Sequence, residues 1–168
     1  ALAESCDVYF YQVGLAVGVD KLAEVAGACG LGAPTGIALE NEARGLIPTS
    51  SWKQQRIGRP WQKGETLNVA IGQGYNLTTP LQMLVLVSAI ANGGTRYAPQ
   101  IIQRISTADG KIVRKAKPVV KGRLPFDKKT IEIVKQGLWE AVNTRGGTAK
   151  GIQLQHISIS GKTGTAQL

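Results

Sequence analysis

The hydrophobic and polar positions of the chain change period several times, and those changes predict its elements. Residues Lys21–Cys29 carry apolar Leu22, Val25 and Ala26 at helical spacing. Asp20 is a fitting N-cap and Gly30 a fitting stop. "GLGAPTG" follows as a loop. Residues 44–77 show little period and contain Pro48 and Pro60, so they read as a long irregular connection. Thr79-Pro80-Leu81-Gln82 then supplies a Thr cap, a first-position proline and a third-position glutamine, which is a capping box. The helix it opens runs "LQMLVLVSAIAN" to Gly93-Gly94. It is apolar nearly all round, which predicts a central buried helix. "QIIQRISTADGKIVRK" predicts a β-hairpin turning at Asp109-Gly110. Asp127 caps a helix over Lys128–Asn143, with Ile131, Val134, Leu138 and Val142 facing inward and Gly146 as its stop. "LQHISIS" alternates like a half-buried strand and runs into Lys162-Thr163-Gly164. Helices mixed with antiparallel-type strands, without an internal repeat, give an α+β class.

Composition narrows the functions available. The 168 residues fit one domain with a real core, and 43% are hydrophobic. The formal charge of +9 favours an anionic partner. Only 5% of residues are aromatic, which gives little for stacking bases. The cations read as spread over several segments, so a generally basic surface is preferred to a nucleic-acid groove. Cys6 and Cys29 lack metal-ligand spacing, and His156 is the only histidine. No metal site is expected. A Ser-His-Asp triad has only His156 to use, and its place in the predicted strand favours a structural role. No apolar run reaches the length of a membrane span. The chain lacks an initiator Met and starts in mid-pattern, so a truncated protein is expected.

Three short motifs carry possible chemistry. Lys162-Thr163-Gly164 at the end of a strand offers an ammonium, hydroxyls and free backbone groups to an extended ligand. Alone, it reads more readily as a surface strand with an ordinary lysine. Ser5-Cys6-Asp7 alone reads as a helix cap. Ser50-x-x-Lys53 has the spacing by which a lysine deprotonates a serine, but it follows Pro48 in the irregular region and is not taken as a nucleophile. "GQGYN" completes no phosphate loop and reads as a turn.

Taken together, Ser-x-Asp followed by Lys-Thr-Gly resembles the second and third motifs of penicillin-binding proteins and serine β-lactamases. "GLIPTSSWK", "GRPWQKGET", "AIGQGYNLTTPLQM", "IANGG" and "GKTGTAQ" resemble the transpeptidase domain of class B penicillin-binding proteins, most of all the elongation-type branch, penicillin-binding protein 2. The resemblance covers essentially the whole chain. It implies the α+β penicillin-recognising serine transpeptidase fold, shared with β-lactamases, in incomplete form. Residues 1–168 are expected to run from the Ser-x-Asp motif to just past Lys-Thr-Gly, without the upstream Ser-x-x-Lys and the last strands. Such a loss should expose apolar faces and sheet edges.

The function so implied is a peptidoglycan D,D-transpeptidase that cross-links stem peptides through a serine acyl-enzyme and is acylated by β-lactams. By that resemblance Ser5 shuttles a proton, Lys162 hydrogen-bonds Ser5 and raises the local potential, and Asp7 contacts the substrate amide backbone. Thr163, Gly164 and Thr165 bind substrate, the two threonines holding its terminal carboxylate. The Thr165 N–H is one oxyanion donor. The family pattern has Asn where this chain has Asp7, and an ionised carboxylate only accepts hydrogen bonds. No cofactor or metal is implied. The implied setting is the periplasmic side of the bacterial cytoplasmic membrane, in an anchored protein with cell-elongation partners and no nucleic acid. A β-lactamase or β-lactam sensor of the same fold is the near alternative. A basic nucleic-acid-binding module and a scaffold acting through the long loop are the distant ones.

Overall fold

The computed structural model of the protein describes residues 1–166. Six helices and two short antiparallel strand pairs follow in the order α1 (Asp7–Val17), α2 (Val19–Ala28), α3 (Ser50–Ile57), α4 (Lys63–Ala70), α5 (Pro80–Ala91), β1 (Thr95–Tyr97), β2 (Arg104–Ser106), β3 (Ile112–Lys115), β4 (Val120–Arg123) and α6 (Lys128–Asn143). A single 3₁₀ turn, Lys150–Ile152, comes after α6.

The capped helices form where the sequence places them. Thr79 and Gln82 make the reciprocal capping box of α5. Gln82 is almost fully buried, and its amide also donates to the carbonyls of Ala33 and Arg44 at 2.7 and 2.8 Å. One side chain thus closes a helix start and fastens two loops. Asp127 accepts from the Thr130 N–H at 2.7 Å and starts α6. That helix ends on Thr144, two residues before the predicted glycine.

Four expectations need correction. α2 starts on Gly18, so Asp20 lies inside its first turn and is not its cap. Residues 44–77 are not irregular throughout. They contain α3 and α4, closed at the base by a two-way backbone bridge between Leu46 and Leu77. α5 is not buried all round: Ala89 is enclosed, whereas Leu84 and Val87 are 60% and 52% exposed. "LQHISIS" forms no strand. It lies along α6 instead, where Asn143 donates to the Ile159 carbonyl, the Trp139 indole donates to Ser158, and the Gly161 N–H reaches the Leu138 carbonyl. Alternation makes a segment fit for a sheet, but a strand needs a partner ladder, and among the described residues none pairs with it.

α1 was not legible as a helix. Its sequence, DVYFYQVGLAV, is apolar on all sides and shows no 3.6 period. It packs on α4 at Gly14, where a β-carbon would overlap that of Ala70. The enclosed apolar cluster lies elsewhere, around Cys29 of the α2 terminus, Ala89 of α5 and Leu124 after β4, with Val25, Leu86 and Ile90 against it. Gln167, the last residue of the "GKTGTAQ" motif, lies outside the described residues.

Candidate active site

Residues 1–6 and residues 158–165, far apart in sequence, meet. Residues 1–6 form a turn ahead of α1, with Cys6 donating its N–H to the Ala1 carbonyl at 3.1 Å. Ser5 sits in this turn at φ +50°, a left-handed conformation that a non-glycine residue rarely adopts. Such an outlier has to be held by its surroundings. The loop after α6 does part of this: Thr148 donates its N–H to the Ala3 carbonyl at 3.1 Å. Residues 158–161, fastened along α6, bring Lys162 to the same place.

Lys162 Nζ donates to Ser5 Oγ at 2.6 Å, to the Thr163 carbonyl at 3.0 Å and to Thr163 Oγ1 at 3.3 Å. Three acceptors match the three hydrogens of an ammonium group. Ser5 Oγ also lies 3.1 Å from Thr148 Oγ1 and 3.2 Å from Thr163 Oγ1, and the two threonine hydroxyls are 3.2 Å apart. Thr148 Oγ1 donates to the Ala3 carbonyl at 3.3 Å. With Lys162 occupying a lone pair of Ser5, the serine's own proton is free to point to either threonine or outward. A hydroxyl held in this way can take a proton from one neighbour and hand one to another.

Ser5 is half-buried and Lys162, Thr163, Gly164 and Thr165 are exposed, so the cluster is open to a ligand. Nothing lies within 4 Å of a β-carbon built on Gly164. The Thr165 carbonyl accepts from the Gln73 side chain at 2.8 Å, which ties the segment to the glycine-flanked turn after α4. Gly72 and Gly74 both have positive φ there, so "GQGYN" is a turn, and its central side chain points to the cluster. Thr148 and Gln73 were not found from the sequence. Only the two glycines around Gln73 hinted at it.

Asp7 stands apart. It is exposed at the first position of α1, where a carboxylate suits the helix dipole, and Cys6 is the N-cap. It makes no hydrogen bond or ion pair with Lys162 among the described residues. His156 is exposed and makes no hydrogen bond to Ser5 among them.

Ser50 and Lys53 form no catalytic pair, although α3 is a true helix with Thr49 as its cap. Ser50 donates its N–H and hydroxyl to Asp20 at 2.8 and 2.7 Å. Those bonds hold the Asp20 carboxyl below its usual range. Lys53, 3% exposed, donates to the Pro60 carbonyl and to Glu65. Burial alone would raise the Glu65 carboxyl, but the bonds from Lys53 and the Gln62 N–H outweigh it, and the net shift is downward. The pair joins α3 to α4 beneath Trp61 and Tyr75. Among the described residues no group of three or more His, Cys, Asp or Glu side chains could hold a metal ion.

The chain matches the penicillin binding protein transpeptidase domain over residues 1–168. It belongs to that family. Within it, the chain is 36% identical over 171 residues to the peptidoglycan D,D-transpeptidase MrdA of Haemophilus influenzae and 39% identical over 170 residues to that of Escherichia coli strain K12. Each match covers 100% of this chain and 26% of the relative. The chain therefore spans about a quarter of the length of these relatives. A solved complex between penicillin-binding protein 2 and MreC from Helicobacter pylori contains a similar chain: TM-score 0.84, 37% identity, covering 100% of this chain and 30% of that one. The α+β arrangement is thus that of the penicillin-binding protein transpeptidase domain.

Proposed function

We propose that this chain is one part of a peptidoglycan D,D-transpeptidase, and that Ser5, Lys162, Thr163 and Thr165 are its part of the active site. The observation that carries the reading is the Lys162–Ser5 hydrogen bond across 157 residues of sequence, inside a hydroxyl cluster that faces solvent. In the reaction a nucleophilic serine, supplied from outside residues 1–168, attacks the penultimate D-alanine carbonyl of a stem peptide. The terminal D-alanine leaves with a proton, and an ester joins the acyl group to the serine. The amine of a second stem peptide then attacks that ester, loses a proton and restores the serine. Ser5 relays these protons and Lys162 keeps its oxygen in place. The Thr163 and Thr165 hydroxyls receive the substrate's terminal carboxylate, near the positive charge of Lys162. The Thr165 N–H stabilises the oxyanion. The open side of Gly164 lets the peptide backbone come close. Asp7 accepts a hydrogen bond from a substrate amide N–H and cannot donate to its carbonyl.

The setting that goes with this reading is the periplasmic side of the bacterial cytoplasmic membrane, with the anchor elsewhere in the protein. Among the described residues no helix is long and apolar enough to cross a membrane. The Helicobacter pylori complex supports a cell-elongation partner of the MreC kind. β-Lactams are taken to acylate the same serine. The reading needs no cofactor.

Peptide mapping after exposure to a labelled penicillin tests this. The full-length protein is expected to carry one adduct, on a serine outside residues 1–168, and to retain it without rapid turnover. Residues 1–168 alone are expected to carry none. An adduct on Ser5 or Ser50 would overturn the assignment, and rapid hydrolytic turnover would favour a β-lactamase.

A further inference from the structure

We propose that the β-ribbon of residues 95–123 carries a docking groove for an extended, acidic peptide segment of a partner protein. The two strand pairs are two halves of one hairpin. β1 pairs with β4, and β2 with β3. Between them the Ala98 N–H reaches the Val119 carbonyl, the Gln100 side chain reaches the Lys117 carbonyl and the Ala116 N–H reaches the Gln103 carbonyl, at 2.7–2.9 Å. The ribbon turns at Asp109-Gly110, with Gly110 at φ +86°. A register shift interrupts each half and bends it.

The chain's charge is concentrated here. Residues 95–123 hold eight Lys and Arg against one acid, Asp109, whereas the rest of the chain holds twelve against ten. Seven of the nine net charges therefore lie on 29 residues. The sequence reading of spread cations is corrected by this. No ribbon cation belongs to an ion pair among the described residues. Asp109 sits at the tip, hydrogen-bonded by Thr107.

On one face lies a groove of about 600 Å³. Arg104, Arg114, Lys115, Lys117 and Lys121 line it, with no carboxylate among the described lining residues. Ile101, Ile105 and Val119 give it an apolar surface, and they are 61%, 44% and 49% exposed. The groove's chemistry selects among anions. Among the described residues no aromatic side chain lines it, which removes the stacking surface a single-stranded nucleic acid uses. Its concave shape suits a chain more than a flat bilayer. The lining mixes cations with isoleucine and valine, which matches an extended segment carrying both acidic and apolar side chains. Each ribbon strand has one edge unpaired among the described residues, so such a segment can add as a further strand. Both the charge and the edge are then used by one occupant.

Fluorescence anisotropy with the full-length protein and a labelled synthetic peptide of alternating Glu and Val tests the proposal. Binding is expected to weaken with salt, as charge pairing does. It should fall about tenfold in Lys115→Glu/Lys117→Glu and survive in Lys115→Arg/Lys117→Arg, which retains the charge. Polyglutamate of equal charge should bind less tightly, because it leaves the isoleucines uncovered. Equal binding by wild type and the Glu variant would overturn the proposal. Polyglutamate binding as tightly as the alternating peptide would overturn it too. So would tighter binding to phosphatidylglycerol vesicles or to a short DNA duplex than to the peptide.

Discussion

Lys162 has three ammonium hydrogens and three acceptors around it, one of them the oxygen of Ser5. Among the described residues, that match holds the lysine without a carboxylate partner. Ser5 and the Lys-Thr-Gly segment stand out in the sequence only because the two short motifs occur together in a family's order, since each alone reads as a helix cap or a surface strand. Gln73 and Thr148 do not, because each is a lone polar side chain that reaches the cluster only through tertiary folding. Gln73 should act as a positioning residue through the Thr165 carbonyl. In the full-length protein, Gln73→Ala is expected to raise the penicillin concentration giving half-maximal acylation about fivefold, the loss of about one hydrogen bond's net worth. The limiting acylation rate should hardly change. A fall in the limiting rate at unchanged concentration dependence would contradict this role.

Elements differ in how far local sequence decides them. α5 and α6 were legible because Thr79, Gln82 and Asp127 close their N-termini with side-chain hydrogen bonds, a local signal. The ribbon was legible from Asp109-Gly110. α3 and α4 were hidden because each has only eight residues, and what joins them is the buried Lys53–Glu65 pair, a contact between elements. The strand expected before Lys162 failed for the same reason in reverse, since its pattern was right but no ladder is there to take it. The α1–α4 crossing gives a sharp test. Gly14→Ala adds one methyl where Ala70 leaves no room. It should cost about 1–3 kcal/mol by overpacking, less the helix-propensity gain of about 1 kcal/mol for replacing Gly by Ala. Chemical denaturation is expected to show a net loss that Ala70→Gly partly restores in the double variant. A Gly14→Ala protein more stable than wild type would show that the helices do not cross this closely.

At the scale of the molecule, surface is in excess. The chain exposes 11617 Å², against about 8,000 Å² for a compact monomer of its mass. Part of the excess is apolar: Val8 and Tyr9 on α1, Leu84 and Val87 on α5. A chain spanning about a quarter of its relatives fits that surplus, on the reading that the rest of a transpeptidase covers these faces. Its charge is segregated as well, on the ribbon, a stretch of sequence separate from those that build the Ser5–Lys162 cluster. The family was legible because several motifs agree in order over the whole chain. The pairing of the two chain ends was legible only through that family, since nothing local in either end points to the other. On the proposed function, this pairing serves acyl transfer. The most direct test is the rate at which a labelled penicillin acylates the full-length protein and its Lys162→Met variant, with circular dichroism confirming equal folding. A fall of about 10²-fold or more is predicted, the scale of a lost proton-transfer or oxyanion partner. An equally folded variant acylated as fast as wild type would show that the Lys162–Ser5 pairing has no part in acyl transfer.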